Sequence, residues 1–210
     1  MTVDRDPRLP LCLVVNDDEV EVRPRGHHTL LDVLRRELDL VGARPGCTVG
    51  ACGSCTVLLD DEPVSSCLLP AQLVGTRHVR TIEGLESLAV PGSLHPVQQA
   101  FIDHTAFQCS YCTPGFILTA TALLTREPDA SRERIQAELA GNLCRCGSYV
   151  KIMDAVLDAR DRLRGHHDDG SPYDGSPYGG APHNGTADQQ TADQRVADRG
   201  TPDRGTVAQP

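Results

Sequence analysis

Cysteine is the residue type in this 210-residue chain best suited to chemistry, and eight of the nine fall into two groups of four. Cys47, Cys52, Cys55 and Cys67 follow the spacing C-x4-C-x2-C-x11-C, whereas Cys109, Cys112, Cys144 and Cys146 follow C-x2-C-x31-C-x-C. In a reducing compartment, dense cysteine points to metal or redox chemistry rather than a disulfide scaffold. Two sets of four thiols are what two four-thiolate centres require. The first spacing is that of plant-type 2Fe–2S ferredoxins, three close cysteines and a distant fourth. A structural zinc site more often shows two C-x2–4-C knuckles. Two ferric ions, two sulfides and four thiolates carry about two net negative charges, so backbone N–H groups must turn toward the sulfurs. Gly46, Gly50 and Gly53 allow a loop that tight.

The second spacing leaves zinc and iron–sulfur both open. Thr113-Pro114 after Cys112 reads as an N-cap and first helical residue, and Gly147-Ser148 after Cys146 precedes a helical period. Both pairs therefore adjoin helix starts, whose positive ends favour thiolates of either kind. The ninth, Cys12, lies in the apolar run Leu11 to Val15 and is expected as a small buried hydrophobe in a strand.

The elements that must position these residues follow from periodicity. Leu11 to Val15 and Val20 to Val22 read as a strand pair around Asn16-Asp17-Asp18. Thr29 caps a helix over Leu30 to Leu38, with Leu30, Leu31, Leu34 and Leu38 on one face. Further strands are expected over Thr56 to Leu59 and Val79 to Ile82. From Leu94 the period becomes helical, with helices over 95–104, 114–125, 132–140 and 149–163. Ser131 caps the third of these, and Gly141-Asn142 is its expected left-handed stop. This divides the chain into a mixed α/β segment, 8–84, a helical segment, 85–165, and a tail, 166–210.

Composition narrows the function. A net charge of −9 argues against a phosphate-backbone footprint, and 3% aromatics with no Trp argues against a base-stacking surface, so nucleic acid is excluded as a partner. No apolar run approaches the ~20 residues of a membrane span. Met1 to Pro10 shows no apolar leader core, so a cytoplasmic protein is expected. The hydrophobic share, 39%, is low because the segment after Gly165 repeats Asp-Gly-Ser-Pro-Tyr and Thr-Ala-Asp-Gln and has no Leu, Ile, Phe or Cys. Such a tail cannot bury enough apolar surface to offset ordering and is expected to be disordered, with His166, His167 and His183 solvated.

The flanks of the two quartets are informative together. Leu58-Leu59-Asp60, Ser66-Cys67-Leu68, His95-Pro96-Val97-Gln98, Gln108-Cys109-Ser110-Tyr111-Cys112-Thr113-Pro114-Gly115 and Gly141-Asn142-Leu143-Cys144-Arg145-Cys146 occur in this order. They resemble the iron–sulfur subunit of the molybdenum hydroxylases, the family of xanthine dehydrogenase, aldehyde oxidoreductase and aerobic CO dehydrogenase. The resemblance covers about residues 8–164 and all eight ligand positions. It implies an α+β chain: an N-terminal β-grasp holding a plant-type 2Fe–2S cluster and a C-terminal four-helix bundle holding a second.

The resemblance also implies partners. The second cluster would lie next to molybdopterin on a large subunit, and the first would face an FAD-binding medium subunit, the whole forming a dimer of heterotrimers. Gln108 matches the glutamine that approaches the pterin, with Cys146 on the same side. Substrate chemistry would belong to the partner, leaving this chain no catalytic residue and an electron-transfer role. A free-standing ferredoxin-like carrier is the alternative, disfavoured by the helical segment; a zinc-stabilised interaction module is a third class. Three departures stand out: Ser110 for the usual Gly, Gly147-Ser148 for Thr-Gly, and Asp60-Asp61 for an Asp-Gly turn.

Overall fold

The structure, a computed structural model, describes residues 10–89 and 92–169. Strands β1 (Leu11–Val15) and β2 (Asp18–Val22) form a hairpin in register Leu13↔Val20. Its two-residue turn puts Asn16 and Asp17 at φ 52° and 72°, left-handed values that Asn and Asp tolerate better than other non-glycine residues. Strand alternation then decides the fate of Cys12. Leu13 and Val15 point into the core, so Cys12 is exposed, contrary to its expected burial.

Helix α1 (Leu30–Arg36) starts at a capping box. Thr29 Oγ1 accepts from the Asp32 amide at 3.2 Å while the Asp32 carboxylate accepts from the Thr29 amide at 3.1 Å. Leu30, Val33 and Leu34 are completely buried against the sheet. The helix ends two residues before the expected Leu38, and Arg35 then fixes the outgoing loop by donating to the carbonyls of Val41 (2.7 Å) and Ala43 (2.9 Å).

Strand β3 (Thr56–Leu59) pairs with β4 (Glu62–Ser65) and with β5 (His78–Arg80), giving a five-stranded mixed sheet in the order β2-β1-β5-β3-β4. The sequence pattern does not reveal β4, because Glu62-Pro63-Val64-Ser65 looks like a turn. It is an edge strand, where proline is tolerated. Asp60 and Asp61 turn the chain between β3 and β4 at φ 52° and 65°, the role an Asp-Gly pair would fill. The expected strand over 79–82 gives way after Arg80, and Ile82–Leu88 winds as a 3₁₀ helix.

Every residue of β3 is buried, because both its faces are covered. Val57 and Leu59 belong to the core shared with α1, whereas Leu58 belongs to the helical core with Leu85, Phe101, Phe116 and Leu123. That second core is built by α2 (Pro96–Asp103), α3 (Thr113–Arg126), α4 (Arg132–Leu139) and α5 (Tyr149–Asp169). Helix α3 is the inner one, buried continuously from Pro114 to Leu124. Helices α2 and α5 are joined by a hydrogen bond between His104 and Asp158 at 2.9 Å and by the ion pair of Arg162 with Asp103 at 2.7 Å. All described residues fall in one compact unit.

Three expectations change here. The N-cap of α3 is Cys112 itself, so Thr113 and Pro114 are already helical. Gly141 is not left-handed; α4 closes through the Asn142 amide on the Leu139 carbonyl at 2.9 Å. Helix α5 runs to Asp169, past Gly165, since a packed helix adds backbone hydrogen bonds beyond its apolar stripe. The rest of the expected tail, 170–210, lies outside the described residues.

His95 caps α2: its Nδ1 accepts from the Val97 amide at 3.3 Å, and its own amide donates to Gln98 at 3.1 Å. Burial drives its pKa down to about 4. The folded protein thus keeps His95 neutral, and its contribution to stability is present above the unfolded pKa of about 6.5 and lost as pH falls toward 4. Between pH 7.5 and 5.5 the native chain is expected to lose about 1 kcal/mol more than His95→Asn, which caps without titrating. Urea unfolding at both pH values checks this; equal losses would show that His95 is not held neutral.

Candidate metal centre

The first thiol loop, Gly46 to Cys55, hangs between α1 and β3 and is tied down at both ends. The Gly42 amide donates to Glu83 at 2.7 Å, and the Arg44 amide to the Ser54 carbonyl at 3.0 Å. Within it the backbone curls around Cys47, whose Sγ accepts from the amides of Ala51 (3.2 Å) and Val49 (3.5 Å). Those donors, Val49 foremost, bring the Cys47 thiol down to about 7. A Cβ on Gly46 would lie 2.6 Å from Cys52 Sγ, so only glycine leaves the sulfur its place. Cys67 arrives from the far side, after β4. Burial, then the neighbouring Cys55 thiol, pushes it up to about 11. Ser66, fully buried, donates its hydroxyl to the Cys55 carbonyl at 2.6 Å.

The second quartet is assembled by helix ends. Cys109 and Cys112 lie between α2 and α3, and Cys144 and Cys146 between α4 and α5. The Tyr111 amide, then the Cys146 thiol, holds Cys109 below the usual thiol range. Burial alone would raise Cys144, but the Ser148 amide on its Sγ at 3.4 Å leads the contacts that lower it overall. Cys112, half-buried beside Cys144, is pushed up to about 12.

Within each quartet the thiols act on one another: Cys55 and Cys47 on Cys67, Cys144 and Cys109 on Cys112. Among the described residues no group of three or more His, Cys, Asp or Glu is gathered as a ready site for a metal ion. Four thiols with main-chain amides turned toward Cys47 and Cys144, and a Gly46 that leaves room at the Cys52 sulfur, fit a cluster of two irons, each of which takes two thiolates. The exposed Gln108 sits at the second quartet, donating from Nε2 to the Cys146 carbonyl at 3.2 Å and the Ser148 hydroxyl at 3.4 Å.

The two loops also touch each other. The Leu143 amide donates to the Cys52 carbonyl at 2.9 Å. Asn142, 4% exposed, donates to the Gly53 carbonyl at 3.2 Å and accepts from the Thr119 hydroxyl at 3.1 Å. Gly53 has φ +68°, and a Cβ there would lie 2.4 Å from the Asn142 amide nitrogen. Arg44 donates to the Ser110 carbonyl, and Tyr111 donates to the Pro45 carbonyl at 3.1 Å. Sequence reading reaches Asn142 only as a helix stop and misses Arg44 and Tyr111 as contacts, since pairs about 66 residues apart leave no local pattern. Ser110, at φ +60°, explains why glycine is usual at this position.

Two family models match in tandem: a "2Fe-2S iron-sulfur cluster binding domain" over residues 13–79 and a "[2Fe-2S] binding domain" over 81–157. The chain is 47% identical over 154 residues to one subunit of the nicotinate dehydrogenase of Pseudomonas putida KT2440, covering 73% of this chain and 96% of that one. The chain belongs to the iron–sulfur subunits of the molybdenum hydroxylase family. Quinoline 2-oxidoreductase from Pseudomonas putida 86 superposes on it with a TM-score of 0.70 at 33% identity, over 76% of this chain and 98% of that chain. Aldehyde oxidoreductase from Desulfovibrio desulfuricans gives a TM-score of 0.69 at 40% identity, over 74% of this chain but 17% of that longer one. What is one segment of a long polypeptide there matches this shorter chain.

In this iron–sulfur subunit, Asn142→Ala is expected to cost about 1–3 kcal/mol by leaving the Gly53 carbonyl and Thr119 hydroxyl without their buried partner. Urea unfolding of the full chain measures it. An unchanged midpoint would show that the bridge does not hold the loops together.

Proposed function

We propose that this chain is the electron-transfer subunit of a molybdenum-cofactor hydroxylase, with Cys47, Cys52, Cys55 and Cys67 holding one 2Fe–2S cluster and Cys109, Cys112, Cys144 and Cys146 another. The observation that carries this reading is the turning of backbone N–H donors onto the sulfurs of Cys47 and Cys144, one in each of the two regions matched by a 2Fe–2S domain. The sheet with α1 is read as a β-grasp domain, 8–84, and α2 to α5 as a four-helix bundle, 85–165. Each cluster, when bound, takes up one electron at a time. The chain's own residues set the ligand geometry, donate hydrogen bonds to the sulfurs and bury the inner thiols.

The second quartet is assigned to the side of the molybdopterin-binding subunit, with Gln108 and Cys146 facing the pterin. Gln108 already spends its amide N–H on Cys146 and Ser148, which leaves its carbonyl oxygen for the cofactor. The first quartet is assigned to an FAD-binding medium subunit, and the complex to a cytoplasmic dimer of heterotrimers. Two relatives named for nicotinate and quinoline favour an N-heteroaromatic substrate on the partner. A free-standing ferredoxin is disfavoured, because a diffusing carrier needs no second quartet packed against the first. Among the described residues no helix is long and apolar enough to cross a membrane.

The purified chain is expected to contain about four irons and four acid-labile sulfides. Cys47→Ser should remove the first centre's paramagnetic signal alone, and Cys109→Ser the second's alone. Stoichiometric zinc without visible absorption would overturn the assignment. Loss of both signals from either folded variant would overturn the partition into two separate centres.

A further inference from the structure

Among the described residues, Arg44 is the cation whose side chain joins the two thiol loops. It leads into the first, three residues before Cys47, and its backbone amide is held by the Ser54 carbonyl at 3.0 Å. Its side chain crosses to the second, donating Nη1 to the carbonyl of Ser110, the residue after Cys109. The guanidinium carbon lies 5.5 Å from the centre of the Tyr111 ring, and the Tyr111 hydroxyl returns a hydrogen bond of 3.1 Å to the Pro45 carbonyl. Among the described residues the guanidinium meets a carbonyl and an aromatic face, and no carboxylate.

The bond at Ser110 matters because of where it holds the charge. Ser110 follows Cys109 directly and carries φ +60°, so the guanidinium on its carbonyl is fixed in the loop that bears two ligand sulfurs of the second quartet. A positive charge fixed there acts on that centre through space. Arg is suited to this because it stays charged and its planar fork can stack on Tyr111 while it donates.

We propose that Arg44 tunes the centre of the second quartet, raising its reduction potential through the charge it holds at the Ser110 carbonyl and so favouring electron entry from the molybdenum side. The inference rests on the cluster assignment above. Reduction converts one ferric ion to ferrous and adds a negative charge to the centre, with the electron supplied by the partner's molybdenum. A fixed cation nearby favours the reduced form. Hydrogen bonds to the sulfurs act in the same direction. Arg44 is therefore a positioning residue: it touches neither iron nor substrate.

The test is a redox titration of the assembled complex, with paramagnetic resonance separating the two centres. In Arg44→Gln the second centre should become harder to reduce, its reduced-to-oxidised ratio at fixed potential falling about tenfold, or about 59 mV for one electron. The first centre should move less. Arg44→Lys, which keeps the charge, should restore most of the shift, and Tyr111→Phe, which removes only the return bond, should leave the potential unchanged. An unmoved second centre in Arg44→Gln, or equal shifts with Gln and Lys, would overturn the proposal. Should Arg44→Gln lose second-centre iron, Arg44→Lys decides: its potential must fall away from the native value between pH 8 and 11 as the ammonium deprotonates, and a constant difference overturns the idea. Lack of any iron–sulfur signal in the native complex would instead overturn the proposed function, so the two failures are distinguishable.

Discussion

The backbone of the first thiol loop lies directly on helix α3, and the rest of the molecule is arranged to permit that contact. A Cβ on Gly115 would sit 2.2 Å from the Gly53 carbonyl oxygen, closer than any side-chain carbon can approach. With glycine on both chains, the Gly53 carbonyl comes within reach of the Asn142 amide, and the Cys52 carbonyl within reach of the Leu143 amide. The two thiol loops are thereby linked through main-chain atoms adjoining Cys52 and Cys144. An electron passing between centres would have bonds to follow rather than a gap filled by mobile side chains. The wholly buried β3 supports the same contact from beneath, with Leu58 in the helical core and Val57 and Leu59 in the sheet core.

Charge is the second organising constraint. Thiolates withdrawn from water need donors, and both loops supply main-chain amides: Val49 and Ala51 at Cys47, Ser148 at Cys144, Tyr111 at Cys109. The opposed directions within each quartet share one cause. Amide donors favour the thiolates of Cys47 and Cys109 at the surface and of Cys144 in the interior, while the buried Cys67 and half-buried Cys112, each beside another sulfur, resist ionisation. Arg44 adds a full positive charge to these partial ones, and its bond to Ser110 ties that charge to both loops.

Much of this is legible in the sequence, for identifiable reasons. Ligand spacing is a local property, so the two quartets stand out unaided, and caps such as Thr29 and Ser131 are local too. The failures are non-local. An apolar run suggests that Cys12 is inside, although strand alternation fixed by Leu13 and Val15 turns it outward. Pro63 hides β4, because a proline in a strand is tolerated only where the partner side is open. Gly141-Asn142 reads as a helix stop, but Asn142 points inward because Gly53, distant in sequence, needs a donor. Ser110 looks like a mere departure from glycine, and only its left-handed backbone shows why the position is demanding.

The central claim is that the two quartets act in series, the second receiving electrons before the first. The most direct measurement is rapid mixing of the oxidised complex with its reducing substrate, freezing at successive times and reading the two paramagnetic signals. The signal lost in Cys109→Ser should appear first, and the signal lost in Cys47→Ser should grow in after it. Earlier appearance of the Cys47-dependent signal, or its full development in a complex lacking the second centre, would contradict it.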